Sequence, residues 1–167
     1  MQERKRGFSL IELTVSLSLL VIVSLAASLT LVSGMKHRRE SFQMYRARGA
    51  IRDLAAEIQE TANLPQDLSN QEGIGAVYIK YNNQTFPIAA LPAATITVQC
   101  FANEATVPAN LGGPQDLNFD GDAQDNLGNQ SAGSDMKLIP VTLTATFTEA
   151  GTTQQVVTQR LVAMTAD

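Results

Sequence analysis

The chain has very little cysteine and histidine, from which many catalytic and metal centres are built. Its 167 residues include one cysteine, Cys100, one histidine, His37, and no tryptophan. A single cysteine excludes an internal disulfide, and a lone histidine among basic residues offers neither a catalytic triad nor zinc-ligand spacing. The sequence also has no glycine-rich phosphate-binding motif. These absences predict a protein that is not an enzyme.

A long N-terminal stretch has no proline and almost no charge. No proline precedes Pro65, and residues 8–32 contain one charged side chain, Glu12. About 20 apolar residues in a helix span a bilayer core, because each adds about 1.5 Å. This stretch is therefore predicted to be a membrane-spanning helix. A carboxylate inside such a span costs at least about 2.5–3.5 kcal/mol, so we expect Glu12 to have a function.

The order of features around Gly7 differs from that of an ordinary secretory signal. Such a signal has a basic end, an apolar region and then small residues at its cleavage site. Here the basic residues 4–6 are followed at once by Gly7, and the apolar run starts only at Phe8. Cleavage after Gly7 would leave the apolar segment on the mature protein. The alternative is a plain signal anchor that happens to contain a glutamate.

The stretch 7–12, GFSLIE, resembles the leader junction of type IV prepilins, and the resemblance extends over about residues 4–34. It implies that prepilin peptidase cuts between Gly7 and Phe8 and that the new amino group of Phe8 is methylated. It also implies that Glu12, at the fifth mature position, pairs with the Phe8 amine of a neighbouring subunit. The implied partners are other pilins or pseudopilins and an inner-membrane assembly platform. The implied location is the bacterial inner membrane, with a periplasmic C-terminal domain, and then a filament.

The resemblance leaves the type of filament open. Major pilins commonly have a proline in the outer half of this helix, where the chain has Leu29, and many carry a C-terminal disulfide. Both departures favour a minor pilin or a type II secretion pseudopilin. The alternative is an adhesin or ligand-binding module that uses the anchor for display. The small number of aromatic residues argues against a carbohydrate site, for which Tyr78 and Tyr81, together with Tyr45, are the only candidates.

The predicted fold class is α+β, with a long N-terminal helix packed on a small antiparallel sheet, which is also the type IV pilin-like shape that the resemblance implies. Four segments are expected. They are a leader at 1–7, a membrane and filament-core helix at 8–34, an amphipathic helix at 35–64, and a β-sheet head at 65–167 with an Asp/Gly-rich loop at 108–135.

Hydrophobic periodicity supports this division. Apolar residues recur every three or four positions between Ala47 and Ala62, which predicts that one helix continues to about Asn63 and ends before Pro65. Beyond it the pattern alternates, and Ile96, Val98 and Cys100 should share one buried face. The predicted strands are 77–81, 85–88, 95–101, 140–148 and 154–164.

Charge is divided unevenly along the chain. Residues 1–52 contain nine Lys/Arg and three Asp/Glu, whereas residues 53–167 contain three Lys/Arg and thirteen Asp/Glu. An acidic surface repels polyphosphates, so we expect no nucleic acid to bind the head.

An acidic cluster within the loop 108–135 resembles the first half of a calcium loop. Oxygen-bearing side chains alternate along residues 116–122, and Gly121 stands where a sharp turn is needed. The twelfth loop position is Leu127, where the motif has a bidentate Glu or Asp. The alternative is a solvated loop held by Asx turns. The predicted calcium ligands are Asp116, Asn118, Asp120, Asp122 and Asp125.

Overall fold

A computed structural model describes residues 9–65, 73–117, 119–123, 138–149 and 151–163. The chain divides into an N-terminal unit, Met1–Phe42, and a head unit, Gln43–Asp167. A long helix and a four-stranded antiparallel sheet give the predicted α+β class. In chain order the elements are α1 (Leu10–Asn63), α2 (Ile74–Tyr81), β1 (Thr85–Pro87), β2 (Thr95–Cys100), two short 3₁₀ helices (Glu104–Thr106 and Ala109–Leu111), β3 (Leu138–Glu149) and β4 (Thr152–Ala163).

The helix α1 begins and ends where the local chemistry requires. The hydroxyl of Ser9 accepts a hydrogen bond from the backbone N–H of Ile11 at 3.2 Å, which satisfies one of the unpaired donors of the first turn. The last helical residue is Asn63, just before Leu64 and Pro65, because a residue that precedes proline is disfavoured in helical geometry. One helix therefore runs from the apolar segment to Asn63, and the predicted end is confirmed.

In the head unit, α1 presents a buried stripe to the core. Its charged residues Arg52, Asp53 and Glu57 lie on the exposed side. The buried side chains occupy the predicted positions and belong to the same apolar cluster as the inner face of the sheet. The helix is thereby held by tertiary burial and not by propensity alone. The buried apolar residues of the stripe are Ala47, Ile51, Leu54, Ala55, Ile58 and Ala62.

The sheet has the order β1-β2-β3-β4, and each neighbouring pair is antiparallel. Val98 lies opposite Leu143, and Leu143 lies opposite Thr158. Burial alternates along β2 as predicted, with Ile96, Val98 and Cys100 inside. In β3 the alternation also holds, and the residues that face the core are Val141, Leu143, Ala145 and Phe147.

The predicted strand at 77–81 is wrong, because these residues belong to the helix α2. A strand would place Val77, Ile79 and Tyr81 on one face, yet Ile79 is 46% exposed while the other two are fully buried. Ile74, Val77 and Tyr81 instead have the three- and four-residue spacing of a helix. A short apolar run fits both periods, and burial against the core decides between them.

The segment between β2 and the acidic loop supplies further core residues. Val107, Leu111 and Leu117 are buried although two of them lie in or beside short 3₁₀ turns. Glu104 is also fully buried, and one of its carboxylate oxygens accepts a hydrogen bond from the backbone N–H of Leu117. No local pattern in the sequence indicates this buried carboxylate, because its partner lies 13 residues along the chain.

Candidate functional site

The apolar part of α1 in the N-terminal unit is exposed along its whole length. Leu10 is 83% exposed, and the other large apolar side chains up to Val32 are more than half exposed. Within the described residues, α1 is long and apolar enough to cross a membrane. An apolar surface of this size is rare on a soluble monomer and indicates a lipid or protein partner.

Four hydroxyl groups on this segment donate hydrogen bonds to carbonyl oxygens of the helix itself. Thr14 donates to the carbonyl oxygen of Ile11 at 2.9 Å, and Ser18 donates to that of Thr14 at 2.8 Å. Ser28 and Thr30 make the same kind of bond to carbonyls four residues earlier. These four hydroxyls therefore have partners without water, which suits the segment to a hydrocarbon environment.

Glu12 is the acidic residue of the first turn of α1. Its position is electrostatically favourable, because the N-terminal end of a helix carries partial positive charge. Ser9 and Glu12 also have the Ser-x-x-Glu spacing of a capping box, of which the structure shows the Ser9 contact. Gly7 and Phe8, the predicted cleavage residues, lie outside the described residues, so their role stays a prediction.

Residues 3–28 match the family model of the prokaryotic N-terminal methylation motif. The chain carries the type IV prepilin signature. The long N-terminal helix followed by a four-stranded antiparallel sheet matches the type IV pilin fold, as the prepilin signature implies. Comparison with curated proteins and with solved structures gives no match. The family match covers the N-terminal segment and does not extend into the head unit.

The acidic loop is folded around the carboxylate of Asp116. One of its oxygens accepts hydrogen bonds from the backbone N–H groups of Phe119 and Asp120, and the other accepts from Gly121 at 2.9 Å. Asp120 in turn accepts from the N–H of Asp122 at 3.1 Å. The contact between Asp120 and Asp122 spans two residues and is an Asx turn, as the alternative interpretation expects. Asp116 makes longer side-chain-to-backbone contacts, to residues three to five positions along the chain.

Calcium binding by this loop stays a prediction. Two of its proposed ligands, Asn118 and Asp125, lie outside the described residues. Across the part of the chain that the structure does describe, no group of three or more His, Cys, Asp or Glu side chains is placed to hold a metal ion. The described contacts explain the shape of the loop through backbone donors.

Proposed function

We propose that the chain is a structural subunit, a minor pilin or a type II secretion pseudopilin, of a type IV pilus or a type II secretion-like filament. The supporting observation is the combination of the methylation motif at 3–28 with an exposed apolar helix directly behind the predicted cleavage point. Before assembly, this helix holds the subunit in the inner membrane. In the filament, the same surface packs against the helices of neighbouring subunits.

Small and polar side chains on the helix suit it to both environments. Ser16, Ser24 and Ser28 are small enough to let neighbouring backbones approach closely. The lipid-facing surface can therefore become a subunit interface without a change in the fold of the helix.

Glu12 supplies the charge that sets the register of assembly in this proposal. Cleavage after Gly7 creates a free amino group on Phe8, close to one helical turn from Glu12. In an apolar filament core, a carboxylate without a partner is strongly disfavoured. Pairing of Glu12 with the Phe8 amine of an adjacent subunit satisfies both charges. The pair forms at only one axial offset between the two subunits, which sets their register.

In this proposal, the orientation of the chain across the membrane follows from the leader and not from the charges that flank the apolar segment. Residues 4–6 are basic, but Lys36, Arg38 and Arg39 carry the same charge beyond the apolar segment, so the positive-inside rule is nearly balanced. Processing as a prepilin requires the leader in the cytoplasm and therefore the head in the periplasm. Within α1, Glu40 is half-buried and lies 3.9 Å from Lys36 and 3.3 Å from His37, both of which are exposed.

The test is assembly of a Glu12→Ala variant in a cell that contains prepilin peptidase and the filament machinery. We expect mass spectrometry to show the same methylated N-terminus at Phe8 in the wild type and the variant. The variant should accumulate in the membrane fraction and be lost from sheared filaments. Glu40→Ala is the matched control, since it removes a carboxylate outside the apolar segment, and its incorporation should be normal.

Two results would contradict the proposal. One is normal incorporation of the Glu12→Ala variant into filaments. The other is a mature N-terminus at any residue other than Phe8. The abundance of the chain in purified filaments then separates a major subunit from a minor one.

A further inference from the structure

A polar cleft of about 430 Å³ lies in the head unit, beside the end of α2 and the end of β2. Primary amides dominate its wall, and none of the described residues that line it is charged. Its volume is within the range of roughly 300–1,000 Å³ that small-molecule sites occupy. The amides belong to Asn82, Asn83, Gln99 and Asn103, and the aromatic rings to Tyr78 and Phe101.

Two of these amides are held in fixed orientations by the backbone. The side-chain oxygen of Asn82 accepts the N–H of Cys100 at 3.0 Å, and that of Asn103 accepts the N–H of Ala105 at 3.1 Å. A backbone N–H must face an oxygen, so these contacts also establish which end of each amide is the NH₂ group. Among the described residues, neither NH₂ group donates to a protein acceptor. Both donors are therefore available to a ligand.

The aromatic rings give the cleft an apolar component. Tyr78 and Phe101 are half-buried, so part of each ring remains accessible. The sequence suggests only tyrosines as aromatic residues of a carbohydrate site and does not indicate Phe101. The position of Phe101 beside the amides depends on the turn after β2. Rings beside fixed amides can receive the C–H face of a ligand while the amides bond to its polar edge.

The small number of aromatic residues in the sequence argues against a carbohydrate site, but the fold brings Phe101 and Tyr78 to one cleft. We propose that this cleft binds a neutral saccharide, a hexose or N-acetylhexosamine unit. An ionic ligand would find no opposite charge among the described lining residues. A purely apolar ligand would leave the amide groups without partners, which costs free energy. Sugar hydroxyls both donate and accept, as amides do, and the C–H faces of the ring suit Tyr78 and Phe101. This binding activity goes beyond the structural role proposed above and does not depend on it.

The experiment uses the full chain in micelles of a zwitterionic detergent, because a maltoside or glucoside headgroup would itself compete for the cleft. Saturation-transfer difference NMR is recorded with two probes, N,N′-diacetylchitobiose and lactose. We expect transfer from the protein to at least one probe. Titration of that probe should then give a dissociation constant for the comparison of variants.

Asn82→Asp and Asn103→Asp are the decisive variants. Each keeps the side-chain oxygen that accepts the N–H of Cys100 or Ala105, and each removes the NH₂ donor. We expect either change to weaken binding at least tenfold while near-ultraviolet circular dichroism stays unchanged. Gln84→Glu is the matched control, because Gln84 is exposed in the neighbouring turn and does not line the cleft. Its affinity should equal that of the wild type.

A second variant keeps the test valid if an aspartate disturbs the fold. Tyr78→Leu retains an apolar side chain on α2 and removes the aromatic ring, and it should also weaken binding. The proposal is overturned if neither probe shows transfer at millimolar concentration, or if these variants bind as the wild type does. It is likewise overturned if an extended Asn/Gln-rich peptide binds in an Asn82-dependent way and neither sugar binds.

The two proposals fail separately. Saccharide binding is measured in micelles without a filament, so its absence leaves the filament proposal untouched. Normal assembly of Glu12→Ala, in turn, has no bearing on the cleft.

Discussion

Tyr81 donates a hydrogen bond of 2.8 Å from its hydroxyl to a carboxylate oxygen of Glu57, which joins the last turn of α2 to α1. The hydroxyl of Thr61 lies 3.0 Å from the same phenolic oxygen. Tyr81 is fully buried, so its hydroxyl needs these partners. The Lys80 ammonium lies 3.8 Å from the same Glu57 oxygen and 4.9 Å from the centre of the Tyr81 ring. This network fixes α2 on the helix side of the head core.

Removal of the Tyr81 hydroxyl should weaken the head without changing its fold. Tyr81→Phe keeps the ring in the core and deletes the bonds to Glu57 and Thr61. We expect the free energy of unfolding to fall by about 1–2 kcal/mol, the usual size for a lost hydrogen bond. Urea unfolding of the full chain in micelles, followed by near-ultraviolet circular dichroism, measures it. Tyr45→Phe is the control, since Tyr45 is 75% exposed. Equal stability of the two variants would show that the network contributes nothing.

Cys100 should make the head sensitive to alkali. Burial raises the pKa of its thiol from 9.0 to about 12, so between these values the unfolded chain loses a proton that the folded chain keeps. Stability therefore falls as pH rises above 9, by up to about 1.4 kcal/mol per pH unit.

The matched experiment compares the wild type with Cys100→Ala between pH 8 and 10.4. The wild type should lose stability faster with pH than the variant does. The raised pKa of Lys80, caused mainly by its hydrogen-bonding contact with Tyr81, also favours the folded state, but that contribution is lost only as pH rises above 10.5 and is common to both proteins. Parallel pH profiles would contradict the assigned role of Cys100.

The parts of the fold that the sequence predicted are those with long, repeated patterns. The stripe from Ala47 to Ala62 and the alternation in 140–148 each repeat several times, so one face is defined without knowledge of its partner. The segment 77–81 is too short for a helical period to be distinguished from a strand period. There the choice of helix depends on what the core of the head buries, which local sequence does not report.

Long-range contacts account for what the sequence left unpredicted in the head. Glu104 accepts from Leu117, and Asn82 accepts from Cys100 across 18 residues. Neither pair has a spacing that a local motif would reveal. The N-terminal motif could be read directly because its chemistry lies within a dozen consecutive residues.

Two glycines of the head should respond in opposite ways to replacement by alanine. A Cβ atom on Gly113 would lie 2.0 Å from the carbonyl oxygen of Val107, whereas one on Gly49 would meet nothing within 4 Å. Gly113→Ala forces the backbone at position 113 away from that of Val107, and it should lower the free energy of unfolding by about 1–3 kcal/mol or more. Gly49→Ala, inside α1, should raise it by roughly 0.5–1 kcal/mol. Thermal unfolding of both variants provides the test, and a neutral effect at Gly113 would disprove the close approach.

The calcium prediction for the acidic loop requires that the metal change the stability of the head, whereas the Asx-turn interpretation does not. Bound calcium stabilises only the folded state, so its addition must raise the melting temperature of the head, and a chelator must reverse the rise. Asp122→Asn removes a predicted ligand carboxylate while its backbone N–H can still donate to Asp120, so this variant should lose the calcium effect. Asp116→Ala should instead destabilise the loop with or without calcium, because three backbone N–H groups lose their acceptor. No heat of binding and no thermal shift at millimolar calcium would leave backbone capping by Asp116 as the sole explanation of the loop.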